Sequence, residues 1–121
     1  MTIGCISSVG LYPEKQNYVD TDVTIVLQTQ GVDNWQPYAA AGTNCKVYDL
    51  AFTDIPNSGI SLDSDVVVIP RGTITDTMLN NFSYINAVET VTHDDANYVR
   101  FYSMRGNPPG NIEITLRVLN P

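Results

Sequence analysis

Residues Ile112 to Leu119 read Ile-Glu-Ile-Thr-Leu-Arg-Val-Leu, and this strict alternation constrains the fold more than any other stretch. In an extended chain successive side chains point to opposite faces. Ile112, Ile114, Leu116 and Val118 therefore share one face, and Glu113, Thr115 and Arg117 the other. Such a pattern marks a strand with one side in a core and one in water. The preceding run, Tyr98 to Met104, is aromatic and β-branched and also reads as a strand. Pro108, Pro109 and Gly110 between them force a loop. The expected result is a long antiparallel hairpin at the centre of an all-β domain.

Further strands are expected at Val23–Gln28, Asn44–Phe52 and Asp65–Pro70. In the second of these, Tyr48, Leu50 and Phe52 share one face and Cys45, Val47 and Ala51 the other, which predicts burial between layers. Pro70-Arg71-Gly72 reads as a tight turn. Met78, Leu79, Phe82 and Ile85 have helical spacing, and Thr75 with Asp76 suits a helix start. Asn80, Asn81 and Ser83 weaken that helix, so one short helix is expected near 76–81, followed by a strand near 87–92. Short strands punctuated by turns, without long amphipathic helices between them, predict an antiparallel β-sandwich or jelly-roll-like domain with at most one short helix.

The 121 residues suit a single domain, 1–121. Residues 1–10 mix Ile3, Cys5, Ile6 and Val9 with glycine and serine, as expected of an N-terminal arm or edge strand. No run of about 18 apolar residues is present to cross a membrane. The first residues lack the pattern of a secretory signal, which predicts synthesis in the cytosol. Thirteen acidic against six basic residues give a net charge of −7, a balance that disfavours nucleic acid as a partner because phosphate binding relies on Lys and Arg. Only 16% of residues are charged, so much of the polar surface is neutral and suited to packing against other subunits. Cys5 and Cys45 are too few for a disulfide framework and read as buried thiols; a bridge between them would contribute on the order of 4 kcal/mol in an oxidising environment.

Chemistry-bearing groups are sparse. His93 is followed by Asp94 and Asp95, a set able to contribute metal ligands, but adjacent residues of an extended chain point apart, and a solvated turn is the expected role. Asp20 with Asp22, and Asp63 with Asp65, place paired carboxylates at strand entries, a hard-oxygen pattern without the periodicity of a calcium loop. No nucleophile elbow, nucleotide-binding glycine pattern, cofactor fingerprint or catalytic pair is evident. Trp35 and Tyr38, with Tyr12 and Tyr18 nearby in sequence, fall in or near loops, where exposed aromatics can stack on a sugar or anchor an interface.

The uncleaved start Met1-Thr2-Ile3, the segment Val68-Ile-Pro-Arg-Gly-Thr-Ile74 and a terminal strand Ile112 to Leu119 ending at Pro121 give the chain a texture that resembles small bacteriophage virion proteins of the capsid-decoration, head-fibre or tail-accessory kind. The resemblance implies a non-enzymatic β domain that assembles with itself, as a dimer or trimer, and with a capsid or tail. The alternative expectation is a carbohydrate- or receptor-binding β module using Trp35 and Tyr38. A third, an acidic inhibitor protein, is disfavoured because the carboxylates are scattered rather than gathered in a run.

Overall fold

In the computed structural model, residues 17–39 and 44–121 are described. They form β1 (Tyr18–Ile25), β2 (Gln28–Thr29), β3 (Val32–Asp33), β4 (Gln36–Pro37), β5 (Lys46–Ala51), β6 (Asp65–Pro70), α1 (Asp76–Phe82), β7 (Ala87–His93), β8 (Ala96–Ser103) and β9 (Ile112–Leu119), with a 3-10 turn at Phe52–Asp54. One sheet has the order β1-β9-β6, the other β4-β5-β8-β7, and β2 with β3 makes a separate small ribbon. All pairings are antiparallel.

The two sheets pack face to face as a β-sandwich, as the alternating pattern predicts. Ile112, Ile114 and Leu116 of β9 meet Val99 and Phe101 of β8 and Leu50 of β5 in one core, joined by Val23 and Ile25 of β1. All four inward residues of β9 are buried, while Glu113 is exposed and Thr115 and Arg117 are only partly covered. The alternation thus translates directly into a half-buried central strand.

The expected hairpin of Tyr98–Met104 with the last strand does not form. β8 pairs with β5 and β7, and β9 pairs with β1 and β6, so the two lie in different sheets. The intervening loop is eight residues, from Met104 to Asn111, with Pro108 fully buried. Loop hydrogen bonds carry it across the sandwich: Asn107 Nδ2 donates to Asp33 Oδ2 at 2.8 Å, and the Leu27 backbone N–H donates to Asn111 Oδ1 at 2.8 Å. A hairpin loop is most economical at two to five residues, and this longer proline-bearing connection instead changes layer.

Other boundaries shift modestly. The strand expected from Val23 begins at Tyr18, because β9 offers partners along the whole of Tyr18–Ile25. β5 ends at Ala51, and Phe52 enters the 3-10 turn. Asp65–Pro70 is a strand with the expected ends, and Gly72 at φ +89° supplies the turn beyond it. Helix α1 begins where expected: the Thr75 side chain accepts from the Met78 backbone N–H at 3.1 Å, capping one of the otherwise unpaired N–H groups. No described helix is long and apolar enough to cross a membrane.

Candidate functional site

Pairing register puts two kinds of chemistry on the two outward faces. On the three-stranded sheet, Asp20 stands opposite Arg117, and Asp22 opposite Thr115. Arg117 donates through Nε and Nη2 to the two Asp20 oxygens at 2.8 and 2.9 Å, and holds that carboxyl below its usual range. Thr115 Oγ1 donates to Asp22 Oδ1 at 3.1 Å. Arg71, just past β6, donates to the Glu113 carboxylate and to the Ile114 carbonyl, each at 3.1 Å. The carboxylate pair Asp20 and Asp22 therefore does share a face, but its members serve as cross-strand partners.

On the four-stranded sheet, Tyr48, Leu50, Val99 and Phe101 point into the core, so the alternate residues Val47, Asp49, Arg100 and Tyr102 point out. Arg100 lies between Asp49 on β5 and Glu89 on β7. Its Nε and Nη2 donate to the two Asp49 oxygens, both at 2.8 Å, a parallel fork-to-carboxylate geometry. The hydrogen-bonded carboxylate raises the guanidinium further above its already high pKa. Neighbouring Tyr102 donates its hydroxyl to Glu89; burial first, and then this acidic partner, push its pKa up to about 12. The Tyr38 ring meets Tyr102 edge-on, with centroids 5.6 Å apart, and lies 5.7 Å from Arg100 Cζ.

Beside these groups the sheet face opens into a cavity of about 430 Å³. Gln36, Pro37 and Tyr38 at β4, Val47 and Asp49 of β5 and Arg100 of β8 line it, and Asn34 and His93 complete the lining. Arg100 and Asp49 neutralise each other. At neutral pH the guanidinium, and the Tyr102 phenol with its raised pKa, both stay protonated. The arrangement is thus suited to donating and accepting fixed hydrogen bonds.

The sequence-predicted residues divide sharply. Tyr38 lines the cavity. Trp35 does not: it is 1% exposed and packs in the core, with its ring centroid 5.6 Å from that of Tyr48. Its expected ligand contact is corrected, since a loop position next to β4 turns this side chain inward; its indole N–H has no hydrogen-bond partner among the described residues. Tyr18 is exposed, with Arg117 Cζ 4.2 Å from its ring centroid. His93 ends β7, and Asp94 and Asp95 make the two-residue turn into β8, at φ +50° and +65°. His93 Nε2 lies 3.3 Å from an Asp94 oxygen on an exposed turn. Among the described residues no three His, Cys, Asp or Glu side chains gather as a metal site. Cys45 is buried as expected, whereas Ile3, Cys5, Ile6, Val9 and Tyr12 lie outside the described residues.

Asp49, Arg100 and Tyr102 were not singled out by sequence reasoning. The available signal was an acid in the middle of one apolar strand and a base in the middle of another, at positions that alternation assigns to the outside; only the register shows that they meet. Comparisons with protein-family models, curated proteins and solved structures find no match for this chain.

Proposed function

We propose that the protein is a non-enzymatic assembly module, a β-sandwich that packs against a second copy of itself and, through that oligomer, into a larger protein structure. The observation that carries this reading is the flank formed by β6, the turn after it and α1. Val67 on β6, Ile74 in the turn after it and Leu79 on α1 are three of the seven large apolar side chains exposed among the described residues, at 42, 59 and 47%. Large apolar groups left exposed on successive elements favour a protein partner, because each contributes roughly 1.5–3 kcal/mol when fully buried.

Charge confines the approach of a second copy to this flank. The molecule carries −7 overall, so two copies repel over most of their surface. Between Val66 and Thr75 the sole charged residue is Arg71, which already pairs with Glu113 at 3.1 Å and with Asp22 at 3.7 Å. The stretch from Val66 to Thr75, bounded by Asp65 and Asp76 and holding one paired charge, is therefore where like molecules approach with least repulsion. A dimer or trimer is the expected oligomer. Placement in a phage virion, as a capsid-decoration or tail-accessory component, is supported by the sequence resemblance of Val68–Ile74 and the terminal strand.

The test is a dilution series followed by amide NMR. Resonances of residues 66–79 should shift with concentration while those of the Arg100 face stay fixed. Concentration-independent spectra, or shifts confined to other regions, would remove this flank as the contact.

A further inference from the structure

We propose that the cavity on the outward face of the four-stranded sheet is a binding site for an uncharged saccharide unit. Its volume, about 430 Å³, lies within the range of small-ligand pockets. It belongs to the sheet that does not contain β6, so it does not depend on the assembly flank.

The ligand class follows from how the lining groups are already committed. Asp49 takes two N–H groups of Arg100, and His93 faces Asp94 at 3.3 Å, so Asp49, Arg100 and His93 each already have a partner of opposite sign. An acidic ligand would meet the Asp49 carboxylate, and a basic one the Arg100 guanidinium. Arg100 has five N–H donors, so donors remain beyond the two that Asp49 accepts. Asn34 donates its amide N–H to Thr29 Oγ1 at 2.9 Å, and Gln36 donates to the Asp33 carbonyl. Those bonds orient both amides and leave each side-chain carbonyl oxygen able to accept. The Tyr38 hydroxyl can do both. Fixed donors and acceptors side by side match the hydroxyls of a sugar, each of which donates and accepts.

Val47, Pro37 and the Tyr38 ring supply the apolar part of the lining. The electron-rich face of an aromatic ring attracts the weakly positive C–H face of a pyranose. Preorganisation is also present: Arg100 and Asp49 are only 14 and 23% exposed and held at 2.8 Å, so little order is lost when a ligand arrives.

The test uses the full chain and saturation-transfer NMR with neutral trisaccharides of glucose, mannose, galactose and N-acetylglucosamine, and with a glucuronic-acid oligosaccharide as the charged comparator. At least one neutral sugar should receive saturation. Tyr38→Ala or, at an exposed position that leaves the fold undisturbed, Gln36→Ala should weaken it roughly tenfold in Kd, with amide dispersion retained. Transfer to none of the neutral sugars, binding unchanged in both folded variants, or tighter binding of the uronate would each overturn the proposal.

Discussion

Arg100 on β8 and Asp49 on β5 face each other across the strand pair and are joined by two 2.8 Å hydrogen bonds on the outside of the sandwich. The pair sits beside an aromatic edge, Tyr38 against Tyr102, and is largely covered. It behaves as a cross-strand clamp fixing the register of β5 on β8.

A double-mutant cycle measures that clamp. Arg100→Ala and Asp49→Ala should each destabilise the fold by about 1–3 kcal/mol, since each leaves a partly covered charge without its partner. The double variant should lose about 1 kcal/mol less than the sum of the single losses. Urea melts of the four proteins give the coupling; strict additivity would show that the pair is incidental.

The two faces of β9 should respond very differently to truncation. Leu116 is fully buried, and Leu116→Ala should cost roughly 2–5 kcal/mol. Thr115→Ala, on the outward face, loses one hydrogen bond to Asp22 and should cost no more than about 1 kcal/mol. Equal shifts in the urea midpoint would contradict the facing observed here.

Much of this architecture is legible in the sequence because the signals are local. Alternation in Ile112–Leu119, Pro70 and Gly72 at the end of β6, and Thr75 at the start of α1 each act within a few residues. Partner choice is not local. Tyr98–Met104 and Ile112–Leu119 look like a hairpin in sequence, yet each finds its neighbours elsewhere: β5 lies some fifty residues before β8, since Asp49 and Arg100 are 51 apart. Trp35 misleads for a related reason. Its glycine-flanked, proline-bearing context suggests an exposed loop, while a full-sized indole gains most by burial when a core lies beneath it. The cavity has no sequence signature because Tyr38, just past β4, Asp49 on β5 and Arg100 on β8 lie far apart in the chain.

The phenol of Tyr102 gives a prediction in alkali. Its pKa lies at about 12 in the folded protein against 10.0 for the ordinary group. A raised pKa means that the folded state holds the proton more tightly than the unfolded state. The associated stability is fully present below pH 10 and is lost as pH rises from 10 through about 12. Tyrosinate absorbance should show a late-titrating class that coincides with the loss of structure, and Tyr102→Phe should remove one late proton. Titration of every tyrosine near the ordinary value would contradict the packing around Glu89.

The turn between β7 and β8 carries positive φ at two successive non-glycine residues, Asp94 at +50° and Asp95 at +65°. Two-residue hairpins of this hand favour glycine at the second position. Asp95→Gly should therefore raise stability by about 0.5–1 kcal/mol, read as a higher urea midpoint with an unchanged slope. A lower midpoint would mean that the Asp95 side chain holds the turn.

Self-association through the β6–α1 flank is tested most directly by the mass of the intact protein in solution. Multi-angle light scattering should give at least twice the chain mass of 13.3 kDa at high concentration. The Val67→Glu, Leu79→Glu double variant, altered only at exposed positions, should remain folded and scatter as a single chain. A wild-type mass of one chain at every concentration, or an oligomer that the double variant leaves intact, would contradict the proposed role of this flank.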